Sequence, residues 1–221
     1  MRLATLAAAL VLAIAFAGVR IAADTRKIDF ESDIAGQPPK GFQFGHTAKA
    51  GAPGKWIVQQ EGNLKYLAQL DPDGTRLRFP VAVLSDVSAA DVDLSVRYRP
   101  ISGQVDQAAG LVWRYQDEDN YYIVRANARE NNVVLYKVEG GKRIDLALKG
   151  EGRTYGKPAT VPANQWSALR VVAAGPRFEV YHNGSKLYEV EDTTFTRPGK
   201  VGIWTKADSV THFDDLTVIT K

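Results

Sequence analysis

From Asp24 onward, apolar side chains recur at every second position and turn residues interrupt the chain at roughly 8 to 12-residue intervals, the rhythm of half-buried strands rather than helices. Val92, Leu94, Val96 and Tyr98 alternate with Asp93, Ser95 and Arg97, so one face of that strand is apolar and the other wet. Residues 110–115, 121–127 and 133–138 follow as three β-rich runs joined by short polar loops, which predicts a meander. Runs at 166–173 and 177–182 flank Gly175-Pro176. Asn183-Gly184 then supplies the two positive-φ positions of a type I′ hairpin turn into 186–190. Residues 201–205 and 212–219 close the chain. Weaker runs at 27–31, 55–60, 66–69 and 81–83 bring the expectation to about a dozen strands, a number suited to a two-sheet sandwich. The stretch 36–54, with its Pro38-Pro39 and Pro53-Gly54 pairs, reads as an irregular surface loop. No repeat of 20 to 50 residues is found, and no long linker divides the chain, so one domain is expected over 24–221.

Composition narrows the classes further. The 221 residues are 45% hydrophobic and 24% charged, a globular balance. They include no cysteine, which excludes a disulfide scaffold, a thiolate metal site and a cysteine nucleophile. Arg2 precedes an apolar run from Leu3 to Gly18, with small residues suited to cleavage after Ala17 or Ala23. Residues 1–23 are therefore read as a secretory signal peptide, the rival reading being an uncleaved membrane anchor, because the run is shorter than the roughly 20 residues of a spanning helix. The expected product is exported, periplasmic or extracellular, and keeps no membrane span after cleavage. Removing this segment takes Arg2 and Arg20 from the 28 basic residues and none of the 25 acids, leaving a net charge of +1. A charge so near zero argues against nucleic acid as a partner.

Three segments carry a family resemblance: GLVWRYQDEDNYYIVRANARENNVVLYKVEGGKR (110–143), LRVVAAGPRFEVYHNGSKL (169–187) and GKVGIWTKADSVTHFDDLTV (199–218). They resemble exported bacterial proteins of the concanavalin A-like, LamG-like jelly-roll superfamily, and within it the 3-keto-disaccharide hydrolase domain group. The resemblance implies an all-β, two-sheet antiparallel jelly roll. It also implies a carbohydrate or glycoside partner met on the concave sheet face, with hydrolysis of 3-keto-glycosides as an alternative. A non-catalytic envelope or interaction domain is the third possibility.

Candidate residues follow from the expected strand pairing. If Trp113 pairs with Tyr122, Arg114 falls opposite Tyr121, with Arg125 and Asn127 continuing on the same side. Aromatic rings stack on the C–H faces of sugars while guanidinium and amide groups satisfy their hydroxyls, so these four are candidate ligand contacts. The competing reading of Arg114 and Arg125 is salt bridging across the sheet. Trp204, Lys206 and Asp208 are candidates to extend the groove, Trp204 being equally readable as core. The Glu-x-Asp-x-Glu string of family 16 glucanases is missing, and Asp91-Val92-Asp93 is the nearest acidic alternation. A 3-keto group acidifies the neighbouring C2 proton, so a single base with a cation could suffice. Asp117, Asp119 and Glu130 are the base candidates, and Arg114 or Lys206 the cation. No cofactor is required. A structural calcium is conceivable at Glu31 and Asp215 if first and last strands are neighbours, since carboxylates are its natural ligands. His46, His182 and His212 are dispersed, and no HExxH, GxSxG, SxxK or P-loop string occurs.

Overall fold

The computed structural model describes residues 24–221, so the expected signal peptide lies outside the described residues. Sixteen strands run in the order β1 (Asp24–Ile28), β2 (Phe42–His46), β3 (Trp56–Glu61), β4 (Leu64–Gln69), β5 (Pro80–Leu84), β6 (Val92–Ser102), β7 (Ala108–Asp117), β8 (Asn120–Asn127), β9 (Asn132–Glu139), β10 (Lys142–Asp145), β11 (Lys157–Pro158), β12 (Ser167–Ala174), β13 (Arg177–His182), β14 (Ser185–Glu191), β15 (Lys200–Trp204) and β16 (Val210–Thr220). They form two eight-stranded antiparallel sheets. The first has the order β14-β13-β12-β6-β16-β4-β3, with β1 added beside β16. The second has the order β10-β9-β8-β7-β15-β5-β2, with β11 beside β9. This is the expected jelly-roll sandwich, and the meander β7-β8-β9 stands as read. Among the described residues no helix is long and apolar enough to cross a membrane.

Alternation explains the first sheet directly. On β6, Val92, Leu94, Val96 and Tyr98 turn inward, and Asp93, Ser95, Arg97 and Arg99 turn outward. The inward set meets Leu111, Trp113, Tyr122 and Val124 of the second sheet in one apolar core. Asn183 (φ 46°) and Gly184 (φ 81°) make the tight turn between β13 and β14. The second sheet differs, because β8 is buried at every position from Tyr121 to Asn127. A strand buried on both faces loses its polar side. Its outer face carries a second apolar cluster in which Val112, Tyr121, Ile123, Tyr136 and Trp204 pack with Phe79.

The covering layer comes from residues expected to be an irregular loop. Within 36–54 the chain forms edge strand β2 and then a single 3-10 turn, Thr47–Lys49. Thr47 Oγ1 lies 2.7 Å from Tyr121 Oη, and the Ala48 amide donates to Asp119 Oδ1 at 2.6 Å. Arg78 is fully buried and ties three loops together, donating to Ala52 O, Ala207 O and Pro53 O while pairing with Asp71 at 3.0 Å.

Candidate functional site

The open part of the second sheet's outer face is a cleft of about 390 Å³ at the Asn127 end of β8. Its walls are loops: Arg76 and Leu77 before β5, Gln104, Val105 and Asp106 before β7, Glu130 after β8, Arg143 from β10 and Lys206 after β15. Arg125 and Asn127 share the outward face of β8 with Tyr121 and Ile123 and lie covered beneath the cleft, bonded to its two carboxylates Glu130 and Asp106.

Arg125 is fully buried, and an uncompensated charge there would be costly. It is met by Glu130 in a bidentate pair (Nη1 to Oε1 3.2 Å, Nη2 to Oε2 2.8 Å) and by Asn132 Oδ1 at 2.6 Å. Its guanidinium stands 5.8 Å over the rings of both Tyr136 and Tyr155. Burial raises the Glu130 pKa, but the Arg125 hydrogen bonds and charge, with help from Asn132 and Lys206, hold it below the ordinary carboxylate value. Glu130 is thus ionised at neutral pH.

Asp106 is the second carboxylate of the cleft, buried and bonded by Asn127 Nδ2 and Lys206 Nζ. The loop that presents it is shaped by Asp208, whose carboxylate accepts the backbone N–H groups of Gln104, Val105 and Asp106 at 2.5, 3.0 and 2.9 Å. Burial raises the Asp208 pKa, and these three amides more than reverse it. Arg143 lies 4.3 Å over Tyr136 and 5.0 Å over Phe79. Two buried nitrogens, Arg143 Nη1 on the cleft wall and Arg125 Nε beneath it, have no hydrogen-bond partner among the described residues. Burial pushes the Tyr136 phenol far up against the opposing pull of Arg125 and Arg143, so it stays protonated. Leu77 and Val105 are exposed apolar side chains on the rim.

Arg125, Asn127, Lys206 and Glu130 are therefore brought together as candidates, whereas others go elsewhere. Arg114 does not share a face with Arg125. Trp113 pairs with Tyr122 as expected, but the register then shifts, and Arg114 adopts φ 48°. This β-bulge puts two consecutive side chains on one side of the strand. Arg114 therefore follows Trp113 toward Phe178 in the intersheet core, 5.4 Å above its ring. There it donates to Ala90 O, Phe195 O and Gly175 O and pairs with Asp91. Tyr121 and Trp204 do lie on the outer face, but the Trp204 indole N–H donates to Tyr121 Oη at 3.2 Å and both side chains are completely covered. They form the packing beneath the site and are not open to a ligand.

Asp117 and Asp119 occupy the β7–β8 hairpin tip, about 20 Å along β8 from Asn127. Asp117 accepts from the Asp119 amide and the Asn120 side chain, while Asp119 anchors the 3-10 turn. Glu31 falls in the turn after β1, where its carboxylate accepts the Lys65 amide. Asp215 pairs with Lys27 at 2.7 Å and Arg97 at 3.2 Å. Both carboxylates expected to bind calcium thus face nitrogen donors, and among the described residues no group of three or more His, Asp or Glu side chains is placed to hold a metal ion. Asp106, Arg143 and Tyr136 were not foreseen. Arg143 follows the Gly140-Gly141 turn, which gave a local sign of a strand but none of its face.

A two-sheet jelly roll with a charged cleft on one outer face is the class that fold and site define. The chain belongs to the 3-keto-alpha-glucoside-1,2-lyase-like domain family, whose pattern it matches over residues 46–219. No curated protein sequence matches it. Among solved structures it is similar to the carbohydrate binding module CBM66 from Bacillus subtilis, at 20% identity and TM-score 0.60, covering 80% of this chain and 94% of that one. It is also similar to domain 4 of AbnA, a GH43 extracellular arabinanase from Geobacillus stearothermophilus in complex with arabinotriose, at 14% identity and TM-score 0.56, covering 90% and 93%. The cellulose-induced protein Cip1 aligns at 12% identity and TM-score 0.57, covering 89% and 97%. At such identities the likeness is one of fold.

Proposed function

We propose that this protein, once exported, binds a glycoside in the cleft lined by Asp106, Glu130, Arg143 and Lys206, with Arg125 and Asn127 bracing its carboxylates from beneath. The observation that carries this reading is the buried, unpartnered Nη1 of Arg143 on the cleft wall, beside the exposed apolar side chains Leu77 and Val105. Buried donors without partners are costly, and a ligand rich in hydroxyl oxygens repays that cost. The apolar rim suits the C–H faces of a pyranose. Family membership and a fold shared with a carbohydrate binding module and an arabinotriose-bound domain support the same reading. Glycan-array screening followed by titration calorimetry tests it. Lys206→Ala, which removes a charge-assisted hydrogen bond, is expected to weaken binding by about tenfold or more. If no glycan binds, or if Lys206→Ala and Glu130→Gln both leave affinity unchanged, the reading is wrong.

A second reading is elimination from a 3-keto-glycoside, favoured by the juxtaposition of two carboxylates with Lys206 in a family described as lyase-like. A carboxylate, Glu130 or Asp106, takes the C2 proton made acidic by the adjacent ketone. The C–H electrons form a C1–C2 double bond as the C1–O bond breaks, and the leaving oxygen takes up a proton. The Lys206 ammonium steadies the charge that develops on the C3 oxygen. Incubation with a 3-keto-glucoside should release aglycone, and Glu130→Gln combined with Asp106→Asn should abolish the release. Binding without any release would leave the recognition reading alone.

A further inference from the structure

We infer that the glycoside taken by this cleft is acidic, bearing a carboxylate or sulfate ester on the sugar that Arg143 and Arg76 receive. The inference rests on the reading of the cleft as a glycoside site and adds its chemical class. Four cations and two acids meet there, but the ion pairs are not evenly shared. Glu130 is taken by Arg125, and Asp106 by Lys206. Asp145, which follows Arg143 by two positions on β10, is taken by Arg153 at 3.2 Å. Arg76 and Arg143 are left lining the cleft without a carboxylate partner among the described residues.

Arg143 is the more informative of the two. Its guanidinium is held beside Phe79 and Tyr136, which fixes the fork, while its Nη1 is buried without an acceptor. A neutral hydroxyl would supply an acceptor but not the charge. An anionic oxygen supplies both, and guanidinium groups match planar carboxylates and sulfate oxygens in a two-pronged geometry. Arg76 is exposed at the mouth, where it adds attraction on approach without a buried contact.

Titration calorimetry with methyl glucuronide, methyl glucoside and methyl glucoside 6-sulfate, at low and high salt, tests the inference. An acidic ligand should bind about tenfold or more tightly than methyl glucoside at low salt, and the gap should narrow as salt rises. Preference for the glucuronide assigns a uronate, and preference for the sulfate assigns a sulfated sugar. Arg143→Gln should collapse the ratio of acidic to neutral affinity. Arg76→Gln, on an exposed loop and harmless to packing, should reduce the ratio and steepen none of its salt dependence. If methyl glucoside binds as tightly as either acidic sugar, the acidic class is overturned while the glycoside reading stands; if the preference survives both substitutions, its assignment to Arg143 and Arg76 is overturned. Failure of all three sugars to bind overturns both.

Discussion

Arg114 and Arg125 sit on neighbouring strands with the same side chain and opposite fates. One left-handed residue separates them: the bulge delivers Arg114 to three carbonyl oxygens at 2.6 to 2.7 Å, where it is sealed. Arg114→Ala would leave these partly covered acceptors to water, and a loss of about 1–3 kcal/mol is expected in urea unfolding. Ligand affinity of the folded fraction should not change, which separates a structural arginine from a binding one. His212 offers a pH test at the same scale. It stacks on Tyr66 at 4.4 Å, with Arg99 Nη2 3.1 Å from its Nδ1 and Glu61 on the far side of Arg99. Burial first, and the Arg99 charge second, lower its pKa to about 4 from 6.5, with Glu61 opposing. The unfolded chain therefore binds the proton before the folded one. This contribution is intact above pH 6.5 and is lost as pH falls from there toward 4, by about 3 kcal/mol at most. His212→Gln should lose less stability than the parent between pH 7 and 5; parallel stability curves would contradict this account.

Strands buried on one or both faces were legible because burial writes itself into side-chain pattern. The alternation at 92–98 and the β-rich run at 121–127 fall inside β6 and β8. Strands β2, β10 and β11 were not anticipated. Phe42–His46 and Lys142–Asp145 have no fully buried residue, and β11 is only two residues long. An edge strand is made by backbone bonds to one neighbour and needs no apolar face. The bulge was equally silent, since nothing in Trp113-Arg114-Tyr115 announces a positive φ. Close approach between elements gives a further prediction. Gly110 stands beside Arg125 and Trp204 in register, and a Cβ there would lie 2.4 Å from Ile123 Cδ1, 2.9 Å from Val124 O and 3.2 Å from Trp204 Cε3. Gly110→Val is expected to cost about 1–3 kcal/mol or more through overpacking. A thermal melt compared with the parent measures it, and an unchanged midpoint would show that the Ile123 side chain and the β8 backbone can give way.

Across the whole molecule, the cleft collects side chains from positions 76 to 206, most of them on connections at the Asn127 end of the second sheet, with Arg143 reaching in from β10. That is why Arg125, Asn127, Glu130 and Lys206 could be proposed from local pattern while Asp106 could not: its place depends on Asp208 folding a loop a hundred residues away. The first and last strands show the same long-range closure. Asp24 is the register partner of Thr220, and β1 runs antiparallel along the end of β16. A circular permutant that joins residue 221 to residue 24 through a few glycines and opens at Asn183-Gly184 should fold with near-parent circular dichroism, since the turn is exposed and the joined ends are adjacent. Loss of the cooperative melt would mean that the β13–β14 turn is needed for closure. Because β16 lies in the sheet turned away from the cleft, a tag, a solid support or a fused protein attached after Lys221 would act as a handle on the back of the molecule, leaving the mouth unobstructed.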